Sequence, residues 1–449
     1  MKRNQLNEVK EWYYRKNRKP LIVHGARQVG KTYLILNLFA KNKELFPDYV
    51  YIDLKKDDEA SSYFYSTCDA TKYLRYIEAR FNKKISTNVP LIIDEVQECP
   101  NVLTSLKYFK QDYPELPVIV TGSLVRLALK HKKNNDDNFL FPVGAIDQID
   151  VFPLTFDEFL LNYNETLLNR IKTAYKNKEP LEAYEHEIAM ESLYEFLSIG
   201  GLPEALNEYI ESKSYVDTNR IIKNIYDNYL SDMDTYNVSS ETILKTRKIY
   251  QNIYSQLDKE NRNFKISQID NGKSNRDYQN AYLWLELARV VCRSVKKQGK
   301  ITAPLIDNED GNFRLYLSDP GMFIYQSKVN QSNFFIKDKR NTLSGIFYEN
   351  YVADELVAKG IPLYFWVGKQ TFEFEFLVQN QGKILPIDVK KQHGKLNSLK
   401  GFRETNSKST AIKISSDNFG YDSTNDILTL PLYETFLLAE DIKENRPII

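Results

Sequence analysis

Residues 25–32 read Gly-Ala-Arg-Gln-Val-Gly-Lys-Thr, and no other stretch of the 449-residue chain restricts its fold as tightly. The spacing is G-x-x-x-x-G-K-[ST], a phosphate-cradling loop. The apolar run Pro20–His24 before it predicts a strand, and the pattern from Lys31 to about Lys43 predicts a helix. Glycines let backbone N–H groups curl around an anion, and the helix start presents its positive end to it. On this reading Gly25, Ala26, Arg27, Gln28, Val29, Gly30, Lys31 and Thr32 form the binding loop for ATP. Lys31 reaches the β- and γ-phosphates, and the Thr32 hydroxyl holds Mg²⁺. A bare glycine turn between strand and helix is the competing reading; the full match in that context argues against it.

Three further apolar runs follow, at 49–53, 89–94 and 116–121, with helical patterns between them. Continuous apolar strands alternating with helices predict a parallel sheet covered on both faces. The run Leu91-Ile-Ile-Asp94-Glu95 ends in two carboxylates. Downstream of a phosphate loop, Asp94 is expected to hold the metal through its water shell, and Glu95 to polarise an attacking water. The fourth strand runs into Val120-Thr121-Gly122-Ser123. Its hydroxyls are candidates to orient water or sense the γ-phosphate, with Ser123 in a catalytic role; a Ser/Thr-capped turn is the plainer reading. Arg126, just beyond, is a candidate arginine finger, set against a simple solvated side chain.

Composition narrows the rest. Net charge is +1, so no global basic field points to nucleic acid. Three scattered cysteines without a CxxC pair, and four histidines, argue against structural zinc and fit a reducing cytoplasm. The polar N-terminus lacks a signal-peptide core, and no run of 18 apolar residues predicts a membrane span.

From Phe156 to Ser231 the pattern is helical, interrupted at Gly200-Gly201-Leu-Pro203. From Glu241 to Pro304 three helices and a β-like tail are expected, with Asn271–Ser274 as a turn; this resembles a winged helix. A polar linker (328–341) precedes a helix at 345–359 and strands at 363–367, 371–378 and 384–389.

The motifs GARQVGKT, LIIDEVQ, VTGS, VFPLTFDEF, GGLPEA, LYLSDPGM, ENYVADEL and PIDVK occur in that order. As an ordered set they resemble the prokaryotic AAA+-type ATPases that pair a P-loop domain with a C-terminal domain of uncharacterised function. The resemblance spans nearly the whole chain. It implies an α/β protein with a P-loop parallel-sheet ATPase core over 1–160, a helical segment over 161–235 and a winged-helix-like domain over 236–325. A small restriction-endonuclease-like α/β domain over 340–449 completes it. Where family members often read Gly-Arg, this chain has Gly144-Ala145, which leaves Arg126 or Arg27, or an oligomer partner in trans, to supply an arginine.

In the last segment the order Glu349, Glu373, Glu375, Asp388, Lys390 resembles the PD-(D/E)xK nuclease core. There, acids on neighbouring strands hold Mg²⁺ and a lysine activates water. Glu349, Glu375, Asp388 and Lys390 would form such a site. The family's Glu-x-Asp reads Glu373-Phe-Glu375 here, and its Glu-Val-Lys reads Asp388-Val-Lys390, so each carboxylate moves by one methylene. A solvated sheet face is the competing reading. Lysines at 296, 297, 300, 390, 391, 395 and 400 are candidate phosphate contacts or equally a solvated cluster.

Taken together, the sequence points to a cytoplasmic Mg·ATP-binding ATPase whose turnover drives a change acting on DNA or on a protein partner. Its rivals are an ATP-gated nuclease and a non-hydrolysing nucleotide switch.

Overall fold

The computed structural model describes residues 1–123, 144–234, 239–306, 312–330, 337–368, 372–390, 397–406 and 409–448. Arg126 and the basic positions 391, 393 and 395 lie outside these. The chain forms two compact units. One comprises residues 2–152 with 287–289; the other comprises 153–286 and 290–449, with Met1.

The first unit is built on β1 (Leu21–His24), β2 (Val50–Asp53), β3 (Leu91–Asp94), β4 (Val118–Thr121) and β5 (Asp147–Asp150). All pair in parallel, in the order β2-β3-β4-β1-β5. β1, β3 and β4 are buried at every position, which is why their sequences are continuously apolar rather than alternating. Ile22, Ile52, Ile93 and Val120 pack with Phe64, Tyr73 and Phe109 from the covering helices. Each such side chain contributes roughly 1.5–3 kcal/mol when removed from water. β5, Asp-Gln-Ile-Asp, is a partly exposed edge whose polar sequence carried no strand signal. Its place is set by main-chain pairing with β1.

The strand order positions the site. β4 lies between β1 and β3, so three strand ends with chemical groups fall side by side. In open parallel sheets the crevice beyond the carboxyl ends is where ligands bind.

The second unit opens with five helices, Phe156–Tyr163, Glu165–Asn177, Ala183–Ile199, Pro203–Ser212 and Tyr215–Asp232. Thr155 and Glu158 form a capping box at the first, and Asn164 and Ser214 cap the second and last. The break expected at Gly200-Gly201 is steric. Gly200 has φ +76°, and a Cβ on Gly201 would lie 1.9 Å from the Leu154 carbonyl oxygen. Helices Ser240–Gln251 and Gln279–Leu287 precede β6 (Val291–Lys297) and β7 (Phe313–Leu317).

Helix Lys337–Ala358 then leads to β8 (Leu363–Val367), β9 (Glu373–Asn380), β10 (Lys383–Val389), β11 (Ala411–Ser415), β12 (Gly420–Asp422) and β13 (Ile427–Pro431). The helix begins inside the stretch that its polar sequence suggested was a linker. One mixed sheet, β12-β13-β11-β10-β9-β8-β6-β7, carries all eight strands. It crosses the boundary expected between the 236–325 and 340–449 segments, because β6 pairs in parallel with β8. The β6–β7 hairpin is thus built into the C-terminal sheet. No helix among the described residues is long and apolar enough to cross a membrane.

Candidate functional site

The loop 25–32 joins the end of β1 to a helix, Tyr33–Ala40, wound with π-type spacing. The backbone conformations explain the residue choice. Gly25 (φ +150°) and Gly30 (φ +90°) take values closed to most side chains, and Gln28 is left-handed at φ +63°. A Cβ at Gly25 would also sit 2.3 Å from the Val151 carbonyl oxygen.

Lys31 is buried, and its Nζ donates to the carbonyls of Gly25 (3.0 Å) and Ala26 (2.7 Å). The ammonium is therefore held inside the loop by two weak, neutral acceptors that a phosphate oxygen would out-compete. Arg27 is half-buried on the same loop.

Asp94, at the end of β3, is buried and accepts from four donors. Oδ2 takes the Thr32 hydroxyl (2.8 Å) and the Tyr51 phenol (3.0 Å). Oδ1 takes the Glu95 N–H (2.9 Å) and the Thr121 hydroxyl. A carboxylate has about four lone-pair sites, so its orientation is fully fixed. Because Thr32 donates its proton to Asp94, the lone pairs of its oxygen stay available to a cation. That donor set suits Mg²⁺, which is typically held by one or two protein oxygens with phosphates and water. Among the described residues, no group of three or more His, Cys, Asp or Glu side chains could hold a metal by itself.

Glu95 follows in a left-handed conformation, φ +55°, and its carboxylate accepts from Gln97. Non-glycine residues with positive φ are uncommon and cluster at functional sites. Ser123 is buried, and its Oγ has no hydrogen-bond partner among the described residues. Chain topology thus brings together Lys31, Thr32, Asp94 and Glu95, with Thr121 beside them.

Tyr51 is a member that sequence reasoning passed over. Burial, then the Asp94 charge, push its phenol well up, so it remains a donor at any ordinary pH. On β2 it reads as one more aromatic strand residue; the pairing of β2 with β3 and the hydrogen bond from its phenol are what place it at Asp94.

The C-terminal carboxylates also converge, but on arginines. Glu349, on helix Lys337–Ala358, is buried; its Oε1 accepts from Arg314 Nη1 (3.0 Å) and the Tyr316 phenol (2.6 Å). Its Oε2 accepts from Arg262, whose Nη1 also lies 3.7 Å from Glu375 Oε1. Arg314 Nη2 reaches Glu373 at 2.8 Å. Burial alone would raise Glu349, yet Arg262 and Arg314 hold it below the usual carboxylate range. Burial and the Asp388 charge push Glu375 well above that range. Lys390 Nζ lies 2.8 Å from Asp388 Oδ1. A guanidinium therefore fills the space between Glu349 and Glu375. Neither arginine was marked by the sequence, because each lies far along the chain from its partners.

Residues 17–160 match the family model described as an AAA domain. The five-stranded parallel sheet of this segment agrees with that likeness. Residues 190–333 and 344–433 match two domains of unknown function, DUF8612 and DUF4143. No curated protein matches the chain. Among solved structures, a Walker-type ATPase of Pyrococcus abyssi is 15% identical, with 72% of this chain and 94% of that one covered at a TM-score of 0.43. The ORC2 protein of Aeropyrum pernix, in ADPNP and ADP complexes, is 11% identical, with 76% and 94% covered at 0.36.

Proposed function

We propose that this protein binds Mg·ATP at residues 25–32 and hydrolyses it slowly, using the turnover to drive a rearrangement that acts on DNA or on a protein partner. The observation that carries the reading is the saturated Asp94 carboxylate, held beside the phosphate loop by Thr32, Tyr51 and Thr121. Lys31 would move from the loop carbonyls to the β- and γ-phosphates. Asp94 would orient metal-bound water once one of its four present donors gives way. Glu95 would take a proton from the attacking water once Gln97 releases its carboxylate. Thr32, Asp94 and the Glu95 N–H are already joined by hydrogen bonds, whereas the Lys31 ammonium and the Glu95 carboxylate must exchange partners when nucleotide binds.

The test is phosphate release from ATP with Mg²⁺ by wild type, Lys31→Ala and Glu95→Gln, with and without duplex DNA. The expected outcome is turnover lost in both variants, with nucleotide still bound by Glu95→Gln. Nucleotide binding without phosphate release from wild type would leave a switch and remove the motor reading. Stimulation by duplex would favour DNA over a protein partner.

The convergence of Glu349, Glu375, Asp388 and Lys390 favours a second reading, an ATP-gated nuclease. Against it stand Arg262 and Arg314, which already pair with Glu349 and, from Arg262, approach Glu375, two of the carboxylates a catalytic cation would need. We therefore rank this reading second. Mg²⁺-dependent nicking of supercoiled plasmid that disappears in Asp388→Ala would reverse the order.

A further inference from the structure

We infer that Arg3, outside the segment that matches the AAA domain, is a positioning residue of the nucleotide loop. This rests on the nucleotide reading above. A loop that turns its N–H groups toward an anion must find donors elsewhere for its carbonyls, or leave buried acceptors unpaired. In this loop the carbonyls of Gly25 and Ala26 accept from Lys31, and that of Gly30 accepts from the Leu34 N–H at 2.9 Å. The Val29 carbonyl belongs to a fully buried residue and accepts from Arg3 Nη1 at 3.1 Å.

Arg3 is itself only 7% exposed. Its Nη2 donates to the Phe152 carbonyl (2.8 Å) and to Gln5 Oε1 (2.6 Å). Gln5 Nε2 in turn donates to the Asp150 carbonyl at 3.1 Å. One guanidinium thus ties the middle of the phosphate loop to the chain just after β5. The same stretch supplies the Val151 carbonyl that closes over Gly25. The two Lys31 contacts must break when a phosphate arrives. The Arg3 contact lies on the carbonyl side and need not, so it holds the loop in its binding shape before and after. It also means that the nucleotide site begins well ahead of residue 17, where the AAA match starts.

The experiment uses the full chain and a fluorescent ATP analogue with Mg²⁺. It measures the dissociation constant and the melting temperature with and without saturating Mg·ATP for wild type, Arg3→Ala, Arg3→Lys and Lys31→Ala. Loss of a charged hydrogen bond to a buried carbonyl predicts roughly tenfold to hundredfold weaker binding for Arg3→Ala. It also predicts a smaller nucleotide-induced rise in melting temperature, which a purely structural role would leave intact. Binding within about twofold of wild type would overturn the inference. If Arg3→Ala melts below the assay temperature, Arg3→Lys decides. Lysine keeps the charge but lacks the rigid fork whose two nitrogens reach the Val29 and Phe152 carbonyls separately, so about threefold or greater weakening is expected, and wild-type affinity would overturn the role. Unchanged affinity in Lys31→Ala would overturn the nucleotide reading itself, a result separate from normal binding by the Arg3 variants alone.

Discussion

Asp94 is held from two strands and the loop at once, so its donors can be removed one at a time. Tyr51→Phe deletes one hydrogen bond and leaves the ring in place. A net value of about 0.5–1.5 kcal/mol for that bond predicts a twofold to tenfold fall in kcat, with little change in KM. Steady-state phosphate release checks it; an unchanged kcat would remove Tyr51 from the site. At a second position the consequence is in pH. Glu355 is buried, accepts the Phe156 N–H through Oε1 (2.8 Å), and has no partner for Oε2 among the described residues. Burial, then the Asp157 charge, push it up to about 8. Its folded pKa lies above its unfolded one, so the native state binds the proton more tightly. The stability it contributes is complete at pH values below the ordinary carboxyl range and is lost as pH rises through about 8. Asp319, raised to about 6 chiefly by burial, acts with the same sign. Glu355→Gln is permanently neutral, so it should flatten the fall in stability between about pH 5 and 8 and exceed wild type at pH 8.5 by on the order of 1–3 kcal/mol. Urea unfolding across that range is the check, and parallel pH curves for the two proteins would refute it.

At the scale of elements, the Gly200-Gly201 junction is a sterically constrained turn in the second unit. The Asp319 carboxylate accepts from the Gly201 N–H at 2.7 Å and from the Met322 N–H at 2.9 Å, so one side chain joins this turn to the start of helix Pro320–Ser327. Gly201→Ala drives a methyl into the backbone of Leu154. It should cost about 2–4 kcal/mol, read as a shift in urea midpoint. Gly272→Ala, at φ +76° with open space around it, should cost only about 1–2 kcal/mol from backbone strain. Equal costs would show that the close contact is not what selects glycine at 201. The sequence marked this break through its glycines, and it marked β1 to β4 through their apolar runs. Those signals are local. β5, with two aspartates in four residues, and the parallel strands β11 and β13 owe their places to pairing with distant strands, which no local pattern records.

The contrast sharpens at the scale of the whole molecule. The phosphate loop was legible because its chemistry demands particular residues at fixed spacing. The C-terminal acids were legible as a set, but their chemical state was not, since Arg262 and Arg314 reach Glu349 from 87 and 35 residues away. A charge-neutralised cluster predicts that wild type, with Mg²⁺ and ATP, leaves supercoiled plasmid intact; accumulation of nicked circles would contradict it. Removing either arginine leaves Glu349 buried and underpaired, so Arg314→Ala should destabilise by about 3–5 kcal/mol, measured by chemical unfolding. Everything proposed for the first unit depends on occupancy of residues 25–32 by nucleotide. Calorimetric titration of Mg·ATP into the full chain and into Lys31→Ala tests that most directly. Saturable one-to-one binding by wild type, lost in the variant, is the predicted result; no binding by wild type, or equal binding by both, would contradict it.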